Sequence, residues 1–221
     1  QMSYIMAPHY ARLTVSARHV IDALRPSDRI RIGTFTNEVA VSPWLTSDRT
    51  VLDRVLREEM WPYGVGLRPW AAIDAATMSL DAESGRRAVL MLTAVSGPWG
   101  EDRNFMPTGR MPTEKERARF SSTSTSEFVR RQMVERDVAL NVGVGGPRQE
   151  IPANFRRLTE DSGGGHFVLP HDADLAAAFS DVAEQLRHQY VLGFVPSVLD
   201  GREHRLQVRA RRPGATARAR Q

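Results

Sequence analysis

The chain has 221 residues, 41% of them hydrophobic and 25% charged. That suffices to bury a core and excludes a disordered polyelectrolyte; the lack of cysteine excludes a disulfide scaffold and a thiolate metal site. The net charge is +4, with Lys115 the sole lysine. The arginines are interspersed with acids except in the tail 202–220, a basic run that hints at nucleic-acid or membrane-surface contact but is more commonly a solvated face, so no specific nucleic-acid partner is expected.

Tyr10–Leu24 spaces Leu13, Ala17, Val20, Ile21 and Leu24 as one face of a helix. Pro26 ends it, because the residue before a proline avoids helical backbone. Arg29–Thr36 alternates as a strand, and Asn37-Glu38 turns into a second short strand, Val39–Val41, giving a hairpin at a sheet edge. Thr46-Ser47-Asp48 caps a helix carrying Val51, Leu52, Val55 and Leu56. Trp61–Pro69 is a glycine- and proline-rich loop, and Trp70–Leu80 a helix with Ile73, Ala76, Thr77 and Leu80 inward.

Ala88–Thr93 is apolar without alternation, the pattern of a strand buried on both faces of a parallel sheet. Such sheets bind ligands beyond the carboxyl ends of their strands. Residues 95–125 form a long polar connection. Ser126–Arg136 is a helix, Val138–Val144 a strand, Pro152–Thr159 a short helix and His166–Leu169 a short strand. Asp172 or Asp174 caps a helix bearing Leu175, Ala178, Phe179, Val182 and Leu186. Tyr190–Val195 and Arg205–Ala210 are strands joined through an Asp200-Gly201 turn. Strands alternating with helices, then strands alone, predict an α/β doubly wound, mostly parallel sheet with an antiparallel C-terminal hairpin.

Few residues suggest chemistry. His166 and His171 stand near Asp172 and Asp174, but a strand end and a helix cap already account for them. His188 and His204 stand alone. Gly163-Gly164-Gly165 precedes a strand rather than a helix, so it lacks the amides of a phosphate loop and is expected to be a turn. Ser96 lacks the G-x-S-x-G frame of a nucleophile elbow. No constellation of catalytic groups emerges, and no enzyme is expected; a hydrolase or nucleotide-binding domain is the alternative from another class.

The order of these pieces resembles a von Willebrand factor A domain, in its bacterial related subgroup. The matching stretches are Ile21–Phe35, Leu45–Leu56, Arg86–Thr93, Leu158–Phe167 and Phe179–Pro196. The last is the most specific: E-x-L-R-x-Q-Y running into L-G-F-x-P, then Asp-Gly and an alternating basic strand. The resemblance implies a three-layer Rossmann-like sheet over 1–197, with the first strand missing, and a β extension over 198–221 packed on it. It implies a metal-ion-dependent adhesion site at the carboxyl edge, built from a D-x-S-x-S loop, a threonine and the aspartate of T-D-G.

This chain departs from that pattern. It opens on Gln1 and reads as a fragment or a processed chain, with Ser3 the only hydroxyl near the first loop. Leu67 stands in place of the threonine, Ala71 where a following aspartate often lies, and Ala94, after Thr93, in place of the T-D-G aspartate. The site is therefore expected to be degenerate and to need no cofactor, Mg²⁺ binding only if missing upstream residues supply ligands. With the first strand absent, Ile30–Phe35 and Ala88–Thr93 should flank a gap or pair directly, and the isolated chain should be poorly stable.

What remains is a non-enzymatic, adhesion-type domain that binds a protein partner of unknown identity. The contact candidates are Trp61, Trp70, Trp99 and Phe105, since aromatic residues anchor interfaces. The alternative is that the tryptophans cover the loop bases and fill the space of the absent metal. A cation-dependent ligand-binding domain, completed by upstream residues, is the other functional reading. No apolar run is long enough to span a membrane, and the resemblance favours the periplasm or cell surface.

Overall fold

The computed structural model describes residues 10–22, 25–36, 38–59, 68–94, 125–145 and 151–168, with isolated positions at 184, 195 and 208–211. In chain order the elements are α1 (Tyr10–Asp22), β1 (Gly33–Phe35), β2 (Val39–Val41) and α2 (Arg49–Arg54), which runs into a π turn (Val55–Glu59). Then come α3 (Pro69–Met78), β3 (Arg87–Ala94), α4 (Ser126–Glu135), β4 (Val138–Gly145), α5 (Ala153–Asp161) and β5 (His166–Val168). The expected helix after Asp172 or Asp174 and the strand 190–195 lie essentially outside the described residues. So does the extension 198–221, apart from 208–211.

The apolar run Ala88–Thr93 and the strand expected over Val138–Val144 become the longest strands. β3 pairs with β4 in parallel, from Arg87 opposite Val138 to Ala94 opposite Gly145, and β4 pairs in parallel with β5, from Val142 opposite His166 to Val144 opposite Val168. Parallel neighbours need crossovers, and α4 and α5 belong to them. One face of β4, Val138, Leu140, Val142 and Val144, is fully buried in a core with Val129 and Met133 of α4 and Phe155 and Leu158 of α5.

β1 and β2 form the expected antiparallel hairpin, with Gly33 opposite Val41 and Phe35 opposite Val39. Its first strand is shorter than the alternation over Arg29–Thr36 suggests. Ile30 and Ile32 still bond to Thr46 and Ser42 through the backbone, but only as an isolated bridge and a single bond. Pro43 between those partners has no N–H to continue a ladder. Among the described residues β1 and β3 do not pair directly: the hairpin and the parallel sheet are separate sheets, although Phe35 and Met91 share one core.

The helices follow local rules. Asp48 caps α2, its carboxylate accepting from the Thr50 and Val51 amides at 2.8 and 3.3 Å. Thr125 caps α4 in the same way through the Phe128 amide at 3.1 Å. α3 begins at Pro69, where a missing N–H is no loss. Its buried residues Trp70, Ile73 and Thr77 recur at helical spacing, and the Thr77 hydroxyl donates back to the Ile73 carbonyl at 2.7 Å.

α1 is tied to α2 by charge as well as packing. The Arg18 Nε donates to Asp53 at 2.9 Å and Arg57 reaches the same carboxylate at 3.2 Å. The Arg18 hydrogen bond is the main cause that holds the Asp53 carboxyl below its usual 3.8. Glu127 is likewise lowered from 4.5, chiefly by its hydrogen bond from Arg130, whose own pKa is raised by the same bond.

Candidate functional site

Two hydrogen bonds orient α3. At its start the Arg68 N–H donates to the Thr36 carbonyl, just past β1, at 2.9 Å. At its end the Ser79 carbonyl accepts from Arg31 Nη1, just before β1, at 3.2 Å. α3 therefore runs antiparallel to β1, and the short turn after it feeds β3. Arg136, ahead of β4, meets Asp81 of that turn at 3.3 Å, which marks the amino edge. Thr36, Arg68, Thr93 and Ala94 thus share the carboxyl edge, the place where open α/β sheets present their loops.

Thr93 is completely buried and Thr36 nearly so. Ala94 ends β3, opposite Gly145. Ser3, Trp61, Leu67, Trp99 and Phe105 lie outside the described residues. Trp70 corrects an expectation: only 2% of it is exposed, and its ring lies 4.7 Å from that of Phe155, centroid to centroid. It begins the inward face that continues with Ile73 and Thr77, so it anchors α3 in the core and is not presented to a partner.

Among the described residues the carboxyl edge offers few oxygen donors. Ions of the Mg²⁺ kind take about six oxygens, with carboxylates among them. The described ends of β1 and β3 offer two buried hydroxyls, Ala94 offers no side-chain oxygen, and Glu38 stands exposed in the hairpin turn. No group of three or more His, Asp or Glu side chains able to hold a metal occurs among the described residues.

The glycine triplet is a turn, as expected, and each residue has its own task. Gly163 takes φ +77° at the end of α5. Gly164 passes so close to β4 that an added Cβ would meet the Leu140 carbonyl oxygen at 1.9 Å. Gly165 donates to Asn141 Oδ1 at 3.1 Å and accepts from the Val142 N–H at 2.9 Å. His166 follows, its Nδ1 lying 3.1 Å from the Thr159 hydroxyl, which itself donates to the Arg156 carbonyl at 2.8 Å. The contact joins α5 to β5. His171, Asp172 and Asp174 lie outside the described residues.

Two positions escape a pattern-based reading. Asn141 sits in the middle of an apolar strand, 3% exposed, and clamps the glycine turn; a lone amide inside VALNVGV is the signal for it. Arg68 stands where a helix cap is usually Ser, Thr, Asp or Asn. Its Nε is buried without a hydrogen-bond partner.

No family model and no curated protein matches the chain. Solved structures do match. A protein described as von Willebrand factor type A from Catenulispora acidiphila aligns with a TM-score of 0.60 at 15% identity, over 86% of this chain and 41% of that one. The fold is that of the von Willebrand factor A domain. An aerotolerance-related membrane protein from Bacteroides fragilis gives 0.53 at 12% identity, covering 81% of this chain and 89% of that one. The VWA domain of SpRpn10 gives 0.50 at 12%, covering 82% and 87%. The chain spans less than half of the Catenulispora protein's length, and at these identities the likeness is one of fold.

Proposed function

We propose that this chain is a non-enzymatic, adhesion-type protein-binding domain that works without a divalent cation. The observation that carries the reading is the end of β3. There a fully buried Thr93 is followed by Ala94, so the strand delivers no carboxylate to the carboxyl edge. The partner contacts are assigned to Trp61, Trp99 and Phe105, while Trp70 packs on Phe155 in the core. Among the described residues no helix is long and apolar enough to cross a membrane. A periplasmic or cell-surface setting fits one neighbour of the fold, itself described as a membrane protein.

The test is thermal melting with millimolar Mg²⁺, with Mn²⁺ and with EDTA. A metal that binds only the folded state raises the melting temperature by mass action. The expected result is three superimposable curves. A clear rise with either metal overturns the metal-free reading.

A further inference from the structure

We propose that the basic run 202–220 is an electrostatic contact for an anionic lipid surface, its arginines binding headgroup phosphates. The proposal goes beyond the protein-binding reading and uses none of the carboxyl-edge residues. It starts from where the charge lies. The chain holds 30 Lys and Arg against 26 Asp and Glu. Residues 202–220 contain seven of these arginines and a single acid, Glu203, which leaves 23 basic against 25 acidic residues elsewhere. The net charge of +4 therefore comes entirely from this run. Even with the acidic excess of the rest fully paired to it, positive charge would remain.

Arginines elsewhere meet acids. Arg18 and Arg57 share Asp53, Arg130 meets Glu127 and Asp161, and Arg136 meets Asp81. The run cannot neutralise itself in that way, because Glu203 is its only acid. Like charges held close along a chain repel one another, and an external array of negative charge relieves that repulsion. The described part, Val208–Arg211, is exposed throughout, so Arg209 and Arg211 stand where such an array can reach them.

The chemistry of the run selects the partner. Its fixed cations are all arginines, whose planar forks match phosphate oxygens. It has no Trp, Tyr or Phe, hence no ring to stack on bases or to anchor in the membrane interface. The contact therefore stays at the level of headgroup charge and is governed by salt. Duplex DNA would accept the same guanidiniums; the choice of lipid rests on the periplasmic or cell-surface setting proposed above.

The test is co-sedimentation of the full chain with vesicles of phosphatidylcholine alone and of phosphatidylcholine and phosphatidylglycerol in equal parts. At about 0.1 M salt the chain should bind the anionic vesicles and leave the neutral ones. At about 1 M, where the Debye length shrinks to roughly 3 Å, it should release them. Arg209→Gln, Arg211→Gln and Arg212→Gln together should weaken binding about 100-fold, since each cation near such a surface contributes about fivefold. The control triple Arg54→Gln, Arg57→Gln and Arg131→Gln has the same net charge and should bind nearly as the wild type does. If the first triple does not fold, Arg218→Gln with Arg220→Gln and the salt series still decide.

No binding to anionic vesicles, equal binding to neutral ones, or a loss in the control triple as large as in the tail triple overturns the proposal. Tighter binding of a duplex oligonucleotide than of the vesicles at the same salt overturns the lipid assignment and the setting behind it. None of these outcomes touches the metal-free reading, which the melting curves decide alone.

Discussion

Around β4, Val138, Leu140, Val142 and Val144 pack against Val129, Met133 and Phe155 with no solvent exposure. The turn behind them is locked by backbone bonds from Gly164 and Gly165. On the α1–α2 side the buried cluster is Ile21, Leu52 and Leu56, with Ala17, Ile30 and Ile32 half-covered. There an Asp53 carboxylate shared by two arginines supplements the packing. The first region depends on shape and the second partly on ionisation. Temperature and substitution should therefore probe the first, and pH and salt the second.

Phe155→Ala should break this contrast most. It removes the ring that Trp70 rests on, and the loss is expected at about 3–5 kcal/mol by chemical denaturation. Leu52→Ala, in the smaller cluster, should fall toward the lower end of the leucine range, about 2–3 kcal/mol. Equal losses would show that the two regions are packed alike. Gly164→Ala comes next. A methyl at 1.9 Å from a backbone oxygen cannot be accommodated by rotating a side chain, so β4 or the turn must shift, costing about 1–3 kcal/mol. The same change at Gly143 meets only the rings and methyls of Phe167 and Leu92 and should be milder.

The smallest effect is electrostatic. Asp53 has its pKa lowered in the folded chain, so it binds a proton less readily there than in the unfolded chain. Its stabilising contribution is complete above the unfolded value near 3.8 and is lost as pH falls through the lower folded value. The protection of the α1 amides against hydrogen exchange, relative to the intrinsic rate at each pH, should fall below about pH 4. Asp53→Asn should remove that acid step, and salt should weaken it in the wild type. An α1 that opens at the same pH in the Asn variant would assign the step elsewhere.

Much of this architecture was legible in the chain. Ala88–Thr93 announces a buried strand because it does not alternate, Val138–Val144 reads as a further strand, and the helices between strands announce parallel crossovers. The register was not legible, since an unbroken apolar run looks the same in any alignment. Gly163–Gly165 reads as a turn, but only the fold shows that Gly164 must approach Leu140. Trp70 stands beside a Pro- and Gly-rich loop, which leaves open both a contact with a partner and cover for the loop base; its spacing to Ile73 and Thr77 points inward, and the packing follows the spacing.

The parallel pairing of β3 with β4 has a consequence for how the chain finds its structure. Arg87 and Val138 are partners across about fifty residues, whereas Phe35 and Val39 meet across a tight turn. Closing the longer loop sacrifices about 2 kcal/mol more chain entropy, and nothing rewards that loss until the β4 valines meet the helices. The hairpin is thus a local event on the microsecond scale. The central sheet is a late, cooperative one, whose topology sets the pace for the whole domain.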